Sequence, residues 1–210
     1  MNILAVDTAL GACSVAVLMN GAVAAHRFVL MERGHAEALA PMVEDAMAGI
    51  AFASLDRLAV TTGPGTFTGQ RVGLAFMRGL RIALKKPLIG VTSLAAMAAQ
   101  AMDETGAARA AALHDARRDE VYVEIAPGGQ PAIMTRAEAV AMLAGFDGAL
   151  AGTGAPLLDL PKATLSAVRQ PDALWVARLA LDMPETEHAP HPLYLRAPDA
   201  KLPGAKLPTP

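Results

Sequence analysis

The chain has 210 residues, 53% hydrophobic and 18% charged, which excludes a disordered chain and leaves enough apolar surface for one large domain or two small lobes. A formal net charge of -2 excludes the broad positive field of a general nucleic-acid binder, so any such role must rest on local patches. No run of about 18 residues is apolar and charge-free, which argues against a membrane-spanning helix. The opening Met1 to Asp7 lacks the basic segment of a secretory signal, so a cytoplasmic protein with no membrane partner is expected. The single Cys13 cannot form an internal disulfide and reads as a small buried hydrophobe.

In chain order, Ile3 to Asp7, Cys13 to Met19 and Val23 to Leu30 are expected as strands, with Gly11 and the hairpin signal Asn20-Gly21 at the turns. His35 to Ile50 carries Leu39, Met42, Val43, Ala46, Met47 and Ile50 at helical spacing, with Pro41 in its first turns. Leu58 to Thr62 is a strand, Gly63 to Gly69 a glycine-rich loop, and Gln70 to Lys85 a long helix ended by Pro87. Leu88 to Val91 is a strand and Ser93 to Met102 an alanine-rich helix with Ser93 as N-cap. Beyond it, Arg109 to His114 and Val121 to Ala126 form a hairpin around a turn over Asp115 to Asp119. Thr135-Arg136-Ala137-Glu138 is a capping box opening a helix to about Ala144. Ala149 to Ala151 is a short strand, Ala173 to Leu181 a final helix, and the proline-rich stretch from Met183 a tail. The pattern divides as an α/β lobe over 1–104, a second lobe over 105–190 and a tail over 191–210. Ile3 to Ala9, turn, Cys13-Ser14-Val15 is echoed by Ala111 to Arg117, turn, Val121-Tyr122-Val123, which points to duplication.

The segment Gly63-Pro64-Gly65-Thr66-Phe67-Thr68-Gly69 follows a strand and opens a helix, as a phosphate loop would. It is followed by Gln70-Arg71 rather than Lys-Ser/Thr, so packing is the favoured reading over phosphate binding. Asp7, with Thr8 and Ser14 close by, resembles the first phosphate-and-magnesium site of actin-like ATPases, but the turn Thr8 to Ala12 is poor in glycine, and a turn-capping Asp7 is an equal reading. His26, His35, His114, His188 and His191 form no i, i+4 pair on a helix, so no metal site is expected. Arg71, Arg78, Arg81 and Lys85 form a basic stripe on one helix, either solvated or facing a negatively charged partner surface or tRNA phosphates.

The opening Ile3-Leu4-Ala5-Val6-Asp7-Thr8-Ala9 with Ala12 to Ala16, the block Gly63 to Gly73, Asp115-Ala116-Arg117 with Glu120-Val121-Tyr122, and Tyr194-Leu195-Arg196 continuing to Lys201-Leu202-Pro203-Gly204 together resemble the TsaB (YeaZ) family. The resemblance implies an actin/Hsp70-like (ASKHA) duplicated two-lobe α/β fold, with mixed sheets flanked by helices and a shortened second lobe. It implies a non-catalytic dimerisation subunit that binds TsaD and TsaE in tRNA threonylcarbamoyladenosine synthesis, self-associates when free, and meets tRNA only through the complex. No cofactor is then expected on this chain alone, ATP and metal being used by the partner subunits. In the family the first-lobe helices form both the self-dimer and the TsaD contact. Laid on this sequence, that gives His35, Leu39, Met42, Met47, Arg71, Leu74, Met77 and Arg78 as partner-binding residues, and Asp7, Thr8 and Ser14 as a vestigial nucleotide site. The catalytic relative holds its metal with a histidine pair whose places fall on Ser93 and Met97, neither of which replaces imidazole. A stand-alone ATP-dependent transferase or metallopeptidase of the same fold is the alternative.

Overall fold

β1 (Ile3–Asp7) is an unbroken apolar run closed by an acid, and all five residues are buried, as a strand covered on both faces should be. It pairs antiparallel with β2 (Ala12–Met19), setting Asp7 opposite Ser14, and parallel with β4 (Arg57–Gly63). β2 returns through Asn20 and Gly21, both at positive φ, into the edge strand β3 (Ala22–Leu30). This is the turn that an Asn-Gly pair favours. β5 (Leu88–Thr92) completes a sheet of order β3-β2-β1-β4-β5.

A computed structural model describes residues 1–196; the Lys201 to Gly204 motif and the end of the expected tail lie outside the described residues. The second sheet contains β6 (Ala110–Arg117), β7 (Glu120–Ala126), β8 (Ala132–Thr135), β9 (Ala149–Ala151) and β10 (Thr164–Leu165) in the order β10-β9-β6-β7-β8. Counted within each lobe, both sheets run third, second, first, fourth, fifth. In both, the first strand is antiparallel to the second and parallel to the fourth. The chain is a duplicated, two-lobe α/β fold of the actin-like (ASKHA) kind.

α1 (His35–Ala46) and α2 (Phe67–Leu84) cover one face of the first sheet, where Leu39, Val43, Leu74 and Met77 meet Leu4, Val6, Val15 and Val60. α3 (Ser93–Thr105) lies between the lobes, its Leu94, Met97, Ala98 and Ala101 packed with Ala110, Ala112, Ala149 and Ala151. The small side chains on both sides allow the close approach that a helix shared by two sheets requires. α4 (Arg136–Met142), opened by the expected capping box, and a 3-10 turn at Ala155–Leu157 cover the outer face of the second sheet. α5 (Ala173–Asp182) covers the remaining face of the first sheet through Val176, Ala177 and Ala180.

Several boundaries differ from the sequence expectation for physical reasons. α1 stops at Ala46, because the chain turns at Met47 and takes a positive φ at Gly49. The cap of α3 is Thr92, whose Oγ1 accepts from Ala95 N at 2.9 Å, while Ser93 Oγ donates to Pro64 O at 2.5 Å. β6 continues through Arg117, and the turn is confined to Arg118 and Asp119, both at positive φ like Arg117 before them. β8 and β10 lie in stretches where Gly and Pro, or extreme shortness, hide the alternation of a strand. α5, which follows the strands of the second lobe, packs on the first lobe. The buried Arg57 secures it there, Nη1 donating to Ala180 O at 2.5 Å and Met183 O at 2.8 Å, which satisfies carbonyls at the helix end. No helix of the described residues is long and apolar enough to cross a membrane.

Candidate functional site

A cleft of about 560 Å³ opens between the lobes, lined by Leu10, Gly11 and Thr66 on one side and His114, Asp115 and Arg117 on the other. The turn after β1 forms its inner wall, where a phosphate site of the fold would lie. Asp7 is fully buried there, its Oδ1 accepting from Thr61 Oγ1 at 2.6 Å and Ala9 N at 3.1 Å. Its Oδ2 is enclosed and has no partner. Burial pushes the carboxyl up to about 7, against the lowering effect of those two hydrogen bonds. Thr8 Oγ1 donates to Gly69 O at 2.7 Å and accepts from Gly73 N at 3.0 Å, stapling the turn to α2. Ser14 Oγ accepts from Ala173 N at 2.8 Å at the start of α5.

These residues do not fit a nucleotide with its magnesium. The amide of Ala9 is spent on Asp7 and that of Gly11 on Gln170 Oε1 at 2.8 Å. The Asp7 oxygen without a partner is sealed from the cleft. The glycine-rich block serves packing: a Cβ on Gly65 would stand 2.3 Å from Ala9 O, and one on Gly69 2.2 Å from Thr8 O. Only a residue without a side chain lets α2 approach the turn this closely. Thr66 closes the helix start itself, its Oγ1 accepting from Gly69 N.

Across the cleft, Thr153 Oγ1 accepts from Asp115 N at 3.1 Å and meets His114 Nδ1 at 2.8 Å. Burial pushes His114 down to about 4, so the ring is neutral near pH 7. Ser93 and Met97, where the resemblance puts the histidine pair of the catalytic relative, are wholly buried at the start of α3. Among the described residues no group of three or more His, Cys, Asp or Glu is placed to hold a metal ion.

The proposed partner-binding set divides sharply. Leu39, Met47, Leu74 and Met77 belong to the core of the first lobe, and His35 is buried with Nε2 on Leu10 O at 3.0 Å. These five are interior residues, so their assignment to a partner surface is corrected. Met42 is half-buried, while Arg71 and Arg78 lie on the outer side of α2.

The chain itself engages most of the basic stripe. Arg71 Nε donates to Tyr194 Oη at 2.8 Å, Arg78 Nη2 to Pro190 O at 2.6 Å, and Arg81 Nη2 to Glu187 O at 3.0 Å. Phe67 stacks on Tyr194 at 6.0 Å and carries the Arg71 guanidinium 3.5 Å from its ring centre. Leu193 N donates to Thr62 O at 2.8 Å. Arg196 then crosses to the second lobe, pairing with Glu120 and donating to Ala116 O. Residues 187–196 thus form a strap joining α2 to the β6–β7 hairpin. Arg78→Ala should weaken its seating by about 1 kcal/mol, seen as roughly fivefold faster proteolysis within 184–196 and little change in the global melting temperature. Unchanged cleavage would mean that the arginine contacts do not hold the strap.

The exposed apolar residues of α2, Phe67 and Ile82, are 61% and 76% exposed and escaped the sequence reading. Their spacing through Arg71, Ala75 and Arg78 is a helical stripe that could have been extended to them.

A family model described as TsaD: tRNA N6-adenosine threonylcarbamoyltransferase matches residues 29–155. The chain is 44% identical over 124 residues to the tRNA threonylcarbamoyladenosine biosynthesis protein TsaB of Escherichia coli (strain K12), covering 58% of this chain and 53% of that protein. It therefore spans about half the length of that curated relative. Similarity to an uncharacterised protein of Mycobacterium tuberculosis (strain ATCC 25618 / H37Rv) runs nearly end to end, 39% identical over 211 residues, covering 95% and 94% of the two chains. In structure, YeaZ from Pseudomonas aeruginosa superposes with a TM-score of 0.82 at 34% identity, covering 92% of this chain and 99% of that one.

Proposed function

The chain belongs to the TsaB/YeaZ family, and on that premise we propose that it is a non-catalytic assembly subunit of the machinery that makes N6-threonylcarbamoyladenosine in tRNA. In this reading it pairs with the catalytic subunit TsaD, with TsaE joining the complex, and forms a homodimer when TsaD is absent. ATP and metal belong to the partner subunits, and tRNA is met only in the complex.

The observation that carries the reading is the burial of Ser93 and Met97 where the catalytic relative holds its metal. A hydroxyl spent on Pro64 O and a thioether inside a packed core offer a hard or borderline metal ion nothing. The spent amides at the β1 turn support the same conclusion for nucleotide chemistry. The partner surface in this reading is the outer side of α1 and α2, with Ala75, Gly79 and Ile82 at its centre, all exposed.

Gly79 makes a clean probe, since a Cβ there meets nothing within 4 Å. The purified chain mixed with its cognate TsaD should give a complex whose mass in solution equals the sum of the subunits. Gly79→Arg should abolish that complex while the chain keeps its fold. Failure of the wild-type chain to bind TsaD would reject the assembly role. ATP hydrolysis by the chain alone, well above background, would instead favour the ATP-dependent transferase reading.

A further inference from the structure

Of the cavities outside the cleft and the strap, one lies on the far side of the molecule from α1 and α2. It holds about 680 Å³ between α3, the end of β7 and α5, within the range of small-molecule sites. Ala95, Ala99, Met102, Ala126, Trp175 and Leu179 supply an apolar wall. Among the described residues, the charged ones at its lining are both acidic, Asp103 and Glu124 on β7, and no lysine or arginine lines it. Arg178 stands outside, stacked on Trp175 with its guanidinium 4.4 Å from the ring centre.

Glu124 is the unusual group. It is only 8% exposed, yet among the described residues it has no cationic partner. Its Oε2 accepts from Thr92 Oγ1 at 2.5 Å, a single hydrogen bond to a group with roughly four acceptor positions. A buried carboxylate beside apolar surface is costly unless a cation or several donors answer it. Burial raises its pKa accordingly. A cationic ligand with an apolar body would supply the missing charge and fill the cavity in one step.

We propose that this cavity is a binding site for a small organic monoamine, with the ammonium group against Glu124 and an apolar or aromatic body along Met102, Trp175 and Leu179. The site is independent of the assembly role, since its residues lie on α3, β7 and α5 rather than on the outer side of α1 and α2. A neutral molecule of the same shape would bury the same surface but leave Glu124 unanswered. Selectivity for charge over shape is therefore the signature of the site.

Trp175 is the only tryptophan in the chain, so its fluorescence reports on the cavity directly. The full chain should be titrated at pH 8 with 2-phenylethylammonium chloride and, separately, with 2-phenylethanol. A saturable change is expected for the amine, with the alcohol at least tenfold weaker. Glu124→Gln should reduce the amine to the affinity of the alcohol, and Ala99→Leu, which narrows the cavity, should weaken both. Equal affinity of amine and alcohol for the wild-type chain, or no saturable response to the amine, would overturn the proposal whether or not the variants fold. A folded Glu124→Gln chain that keeps the tenfold preference would overturn it as well.

Discussion

Met77→Glu and Leu74→Glu are each expected to abolish cooperative folding of the first lobe. Both side chains sit under α2 in the core formed with β1, β2 and β4, at 0% and 2% exposure. Truncating a buried Met or Leu costs about 2–5 kcal/mol, and placing an unpaired carboxylate in that space adds several more. The sum is comparable to the whole stability of a domain, about 5–15 kcal/mol. Gly79→Arg, on the solvent side of the same helix, should stay within about 1 kcal/mol of wild type. Thermal melts followed by circular dichroism separate the two classes. A Met77→Glu chain melting within a degree or two of wild type would show that α2 packs through a different face.

That contrast also shows where the sequence stops being informative. The period of α2 reveals an apolar side and a basic side, but apolar residues at helical spacing look the same whether the neighbour is the chain's own sheet or another protein. Leu74 and Met77 face the sheet, whereas Ile82, equally apolar, faces solvent. The contacts of the α2 arginines are hidden for the complementary reason. Their acceptors, Pro190 O, Glu187 O and Tyr194 Oη, lie more than 100 residues away, and two of the three are backbone atoms that no composition can announce. The duplication was legible because each lobe opens with a strand, an aspartate, a turn and an antiparallel return, a local pattern. The lobe to which α5 belongs was not, since its partners are Ile3, Leu18, Ile89 and Arg57.

The same distinction holds at the β1 turn. Asp7, Thr8 and Ser14 could be grouped from sequence because a hairpin brings them together. What consumes them could not, because Thr61, Gly69 and Ala173 arrive from three other elements. The family resemblance named the position of the site, and the hydrogen bonds determine that it is closed.

The second large effect is on the dependence of stability on pH, and it follows from two groups of opposite sign, the fully buried Asp7 and the half-buried His114. Asp7 is raised from 3.8 to about 7, chiefly by burial, so the folded chain keeps a proton that the unfolded chain has released. Its contribution therefore makes stability fall as pH rises from about 4 to 7, by roughly 4 kcal/mol in all. His114 is lowered from 6.5 to about 4, again chiefly by burial, so below pH 6.5 the unfolded chain takes up a proton that the folded chain refuses. Its contribution makes stability fall as pH drops from about 6.5 to 4, by roughly 3 kcal/mol. The two slopes oppose each other over most of this window and largely cancel. Glu124, raised by burial, adds to the Asp7 side. Wild-type stability should thus vary little between pH 4.5 and 6 and decline toward pH 7. In Asp7→Asn the His114 slope stands with less opposition, so stability at pH 8 minus stability at pH 5 should increase by roughly 3 kcal/mol relative to wild type. Urea unfolding at half-unit steps from pH 4.5 to 8 measures this difference without depending on the absolute cost of the substitution. If Asp7→Asn shows the same pH profile as wild type, Asp7 is ionised in the folded chain, and the closed, neutral state of the β1 turn is wrong.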